Sequence, residues 1–107
     1  MVAITNTTSL TFLKEAIDTT LTEAENQLEA FSDDRSRQDE LQHCAQAFQQ
    51  LRGICQVVEL PAAALMSEEM ALAARELQDK VSDARIQALS NAIVLLTRYF
   101  DYVQLKN

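Results

Sequence analysis

A chain of 107 residues with one glycine and one proline has few places at which it can turn sharply. Tight turns draw on glycine, proline and asparagine for backbone angles that other residues adopt poorly, and sheet folds of this size need many such turns. Gly53 and Pro61 alone therefore imply a few long elements, which means helices. The length suits a single domain, 1–107, with one core, because a chain near this size buries over about 60% of its unfolded surface. Apolar residues at 48% and charged residues at 23% match an ordinary globular domain.

Four segments carry helical periodicity, predicting helices over about 8–31, 37–59, 61–80 and 83–105. In the first, Leu10, Leu13, Ile17, Leu21, Ala24, Leu28 and Phe31 recur every three or four residues, and an acidic face lies between them. A polar loop follows, with Ser36 and Asp39 spaced like a capping box. Leu41, Cys44, Phe48, Leu51, Cys55 and Val58 form the second stripe, which ends at Leu60-Pro61 because proline disfavours helix before it and suits the first turn of a new one. Leu65, Met66, Met70, Ala73 and Leu77 make the third. Ser82-Asp83 opens the fourth, with Ile86, Leu89, Ile93, Leu96, Phe100 and Val103. Short connections between amphipathic helices predict an all-α, antiparallel up-down four-helix bundle.

Eleven residues separate Cys44 and Cys55 within one predicted helix, which puts them about 16 Å apart at the helical rise. A disulfide needs Cα atoms within about 7 Å. Both thiols are thus expected as small core residues.

The formal charge of −7 disfavours nucleic acid and anionic lipid as partners. No apolar run approaches the about 18 residues of a spanning helix, so no membrane insertion is expected. Met1 to Ser9 lack the basic and apolar regions of a signal peptide, which makes a cytoplasmic location the default expectation.

Reactive motifs are scarce. Di-iron centres in bundles need inward glutamates and Glu-x-x-His on two helices. The single histidine His43 is expected to complete no such motif, and Glu68 and Glu69, as neighbours, point about 100° apart. Cys44 beside His43 diverges from it in the same way. One glycine permits neither a nucleophile elbow nor a phosphate-binding loop. No metal site, no cofactor, no catalytic residue and no enzymatic activity are expected.

The informative stretch is Phe48-Gln49-Gln50-Leu51-Arg52-Gly53-Ile54-Cys55. A glycine inside a helix is less favourable than alanine by about 1 kcal/mol, so its position needs a reason. At about 100° per residue, Gly53 points almost directly away from the apolar stripe, with Gln49 and Gln56 on the same outer side and Arg52 flanking it. A tolerated surface glycine or close packing on a neighbour is one reading; a flat spot where a partner meets the helix backbone is the other.

Gln49-Gln50-Leu51-Arg52-Gly53 resembles the signature His-x-Leu-Lys-Gly on the second helix of histidine phosphotransfer (Hpt) domains, which are four-helix bundles. Leucine matches at Leu51, the basic residue at Arg52 and the glycine at Gly53, while glutamine stands where the phosphoacceptor histidine would be. The longer stretches Leu51 to Leu60 and Ala64 to Met70 are similar to the amino-terminal Hpt-like modules of type IV pilus chemosensory systems. The resemblance covers the whole chain in architecture and specific residues from about Phe48 to Met70.

What it implies is a non-catalytic interaction module in a chemotaxis-like two-component pathway controlling pili and twitching motility. A glutamine amide nitrogen has its lone pair delocalised into the carbonyl, so Gln49 cannot accept phosphate. The resemblance implies a receiver domain of a response regulator, or a scaffold protein, as partner, docking on Gln49, Arg52, Gly53 and Gln56. Two other readings stay open: a phosphorelay intermediate using His43, and a plain dimerisation or structural bundle heading a longer kinase.

Overall fold

A computed structural model describes residues 6–106, with side chains from 11 to 105. It contains four helices, α1 (Asn6–Asp33), α2 (Gln38–Val57), α3 (Pro61–Glu76) and α4 (Asp83–Lys106), and no strand among the described residues. None of these helices is long and apolar enough to cross a membrane. The helices contact one another in a ring: α1 lies on α2 and α4, α2 on α3, and α3 only thinly on α4. The envelope measures 51 × 21 × 19 Å, long in one direction, as the 28-residue α1 requires.

Three of the four stripes hold the core where their spacing predicts it. Ile17, Leu21, Ala24, Leu28 and Phe31 of α1 are buried, and Leu13 is partly so. Leu10 lies outside the residues whose side chains are described. Leu41, Cys44, Phe48, Leu51, Cys55 and Val58 are all fully enclosed. Ile86, Leu89, Ile93, Leu96 and Phe100 of α4 are buried, and Val103 packs against them at the edge. Phe31, Phe48 and Phe100 are the largest wholly enclosed side chains.

The third stripe is corrected. Leu65 is 61% exposed, Ala73 is exposed and Met66 is half-buried. Ala63, Ala64, Ser67, Ala71 and Ala74 turn inward instead, together with Met70 and Leu77. Small side chains let two helix backbones approach closely, and the face they form is the one α3 uses against its neighbours. In this helix residue size is a poor guide to the inward face.

The connections also differ in detail. The expected capping box at Ser36 and Asp39 does not form, because α2 starts at Gln38 with Arg37 as its N-cap. Asp34 captures Ser36 instead, accepting from its backbone N–H at 3.1 Å and its hydroxyl at 2.6 Å. These bonds hold the exposed Asp34 carboxyl below its ordinary pKa. α2 ends in a Schellman motif: Leu60 N–H donates to Cys55 C=O at 2.9 Å and Glu59 N–H to Gln56 C=O at 3.2 Å. Glu59 takes the left-handed position there, with φ 59°, where glycine is usual. Pro61 begins α3, as its missing N–H allows. α3 stops at Glu76 rather than Lys80, because its last turn tightens: Gln78 and Asp79 donate to carbonyls only three residues back. Ser82 caps α4, its hydroxyl accepting from Arg85 N–H at 3.1 Å.

Candidate functional site

The residues singled out on α2 follow the register of its buried stripe. Burial falls away toward their side of the helix: Gln49 is half-buried, Gly53 and Gln56 are exposed, and Arg52 lies between core and solvent. A Cβ placed on Gly53 would meet nothing within 4 Å. Close packing on a neighbouring helix is therefore not why glycine occupies this position, and the space above the backbone is open. Arg52 is already engaged, its Nε 3.7 Å from Glu68 Oε1 on α3. Both side chains are well exposed, and such a pair contributes about 0–1 kcal/mol, so it yields readily to a competing carboxylate.

The two thiols lie on the opposite, inward side of the same helix. Cys44 Sγ sits 3.5 Å from the Ala24 carbonyl of α1, and burial pushes its pKa up to about 12. Cys55 is raised to about 11, again by burial, although the neighbouring Ser67 hydroxyl pulls the other way. Both stay protonated near neutral pH, which removes the thiolate that a nucleophile or metal ligand requires. Their expected role as small core residues is borne out by complete burial.

His43 is exposed on the first half of α2. The expectation that it completes no Glu-x-x-His is corrected: Glu40-Leu41-Gln42-His43 is one such motif, half of the pair that a di-iron centre requires. Asp39 joins it, and ligand atoms of the three residues lie within 4.8 Å of one another. Glu40 is meanwhile held by Arg37 at 2.9 Å. One helical turn offers at most three ligands here, one short of the closed set that a structural zinc site uses. The signal for this cluster is the i, i+3 spacing itself, which is present in the sequence.

Among the described residues, then, the chain offers an outward helix face with an uncovered glycine, and its thiols are enclosed and protonated. An alignment of 104 residues that covers 94% of the chain shows it to be 34% identical to the scaffold protein FimL of Pseudomonas aeruginosa. It spans 18% of that protein. No family model matches the chain, and no solved structure matches it.

Proposed function

We propose that the chain is a non-catalytic, Hpt-like interaction module in a chemotaxis-like two-component pathway controlling type IV pili and twitching motility. The observation that carries this reading is Gln49 beside Arg52 and an uncovered Gly53, a run that resembles the phosphotransfer signature with glutamine in the acceptor's place. An amide there keeps the docking face of a phosphotransfer domain and lacks its nucleophile. Similarity to a protein named as a scaffold supports a role through contact. Ion pairs support the up-down order of an Hpt bundle. Lys14 near the start of α1 meets Asp101 near the end of α4 at 3.1 Å, while Arg35, just past α1, meets Asp83 at the start of α4.

The partner on this reading is a receiver domain or a scaffold protein, met in the cytoplasm through Gln49, Arg52, Gly53 and Gln56. A receiver domain phosphorylated with labelled acetyl phosphate is the probe. The chain binds it and takes up no label, whereas Gln49→His gains acid-labile phosphate. Gly53→Trp abolishes binding and keeps the helical circular dichroism, because Gly53 is exposed and a Cβ there meets nothing within 4 Å. Unchanged binding by Gly53→Trp would remove this face from consideration. Label on the unaltered chain, lost in His43→Ala, would replace the reading with an active phosphorelay.

A further inference from the structure

A second surface, apart from the α2 face, follows from the thin contact between α3 and α4. A groove of about 340 Å³ runs between these helices, floored by Met66, Met70, Ala73, Ala88, Leu89 and Ala92. Each wall carries apolar residues beyond those its core stripe needs. On α4, Ala88 and Ala92 line the groove beside the core stripe from Ile86 to Phe100, and the exposed Leu95 continues the same face beyond it. On α3, the half-buried Met66 and the exposed Ala73 flank the buried core residue Met70. Stripes at this spacing are what a further helix packs against.

Three observations identify the occupant. The groove holds two of the three methionines of the chain, side chains that adapt to varied apolar ridges. Its exposed charged residues are Glu69, Glu76 and Arg85; Arg85 lies 4.0 Å from Glu76, and Glu69 has no ion pair among the described residues. The net charge of −7 sets a second copy of the chain at a disadvantage and favours a basic partner.

We propose that the α3–α4 groove receives an amphipathic helix of a different protein, with lysine or arginine flanking its apolar seam. From Met66 to Glu76 the groove wall runs about 15 Å, which fits about three turns of such a helix. Recognition is of the helix-in-groove kind, with apolar anchors seated between α3 and α4 and a cation over Glu69.

The test uses the whole chain with methyl-labelled methionine and a synthetic Leu/Lys helix of about 14 residues, roughly four turns. Its counterpart carries glutamate in place of lysine. The Leu/Lys peptide shifts the Met66 and Met70 methyl signals saturably, and the Leu/Glu peptide binds at least about tenfold more weakly, a difference of about 1.4 kcal/mol. Ala88→Gln, on an exposed groove wall, weakens the Leu/Lys peptide to a similar degree without changing helix content. Gly53→Trp leaves this binding intact, which separates the groove from the α2 face. Equal binding of the two peptides, or indifference to Ala88→Gln, overturns the proposal. Methyl shifts that grow with protein concentration alone, alongside a doubled mass in light scattering, would assign the groove to a second copy.

Discussion

α3 meets its two neighbours in opposite ways. Toward α2 it turns alanines and Ser67, the helices lie along one another extensively, and a connection of only Val58, Glu59 and Leu60 joins them. Toward α4 it turns Met66, Met70 and Ala73, touches little, and is joined by the longer segment 77–82. Small side chains close the first interface and leave no room; larger, flexible ones line the second and leave a groove. One helix thus carries a face finished within the fold and a face that remains available. Which face a side chain belongs to, rather than its hydrophobicity, decides what a substitution does.

The largest effect is expected from filling the closed side. Ala71 is fully enclosed, and Ala71→Leu adds three carbons where the interior is already packed. Overpacking of this sort destabilises by about 1–3 kcal/mol, with side chains forced off their rotamers and the α2–α3 spacing widened. Urea unfolding followed by circular dichroism measures it; a midpoint equal to that of the parent chain would show that this interface is looser than the burial of Ala71 implies.

The same contrast explains what could be read from the sequence. Large apolar residues at three- and four-residue spacing identify the inward faces of α1, α2 and α4, because leucine, isoleucine and phenylalanine are seldom repeated on a solvated face. Alanine gives no such guidance, being as acceptable outside a helix as inside it. α3 holds six alanines, so a pattern traced through Leu65 and Met66 leads to the wrong side. The groove is hidden for a related reason: whether a second stripe is core or surface depends on how closely the next helix approaches, which no local pattern encodes. Gly53 is legible because its direction depends only on its own helix. The Asp34–Ser36 turn is not, since a shift of one residue in the start of α2 changes which side chain can cap it. The Glu40–His43 spacing, in contrast, is plain in the letters, and nothing in the fold hides it.

A smaller effect, of opposite sign, is expected at the corner that sets the α2–α3 approach. Glu59 holds a left-handed conformation that glycine adopts without steric conflict. Glu59→Gly should therefore stabilise the chain by less than about 1 kcal/mol, since the left-handed region disfavours a side chain by about 1–2 kcal/mol, while glycine's greater unfolded freedom and the loss of the interaction Glu59 makes offset much of this. Thermal unfolding reads the gain as a higher midpoint. A lower midpoint would mean that the side chain of Glu59 holds the corner by its own interactions more strongly than its backbone strains it.

The smallest effect is expected from placing the same bulk two residues further along α3. Ala73 is exposed on the floor of the groove, and leucine there meets open space rather than a packed neighbour. Surface substitutions clear of packed features fall within about 0.5 kcal/mol of zero, so Ala73→Leu should leave the urea midpoint nearly unchanged. Set beside Ala71→Leu, it isolates the face as the variable, because residue type, helix and added volume are the same. A loss at Ala73 as large as at Ala71 would mean that α3 and α4 close upon one another in solution and that the groove is filled by the fold itself. Near-equality with the parent chain, by contrast, leaves a surface with room for a side chain that this chain does not supply.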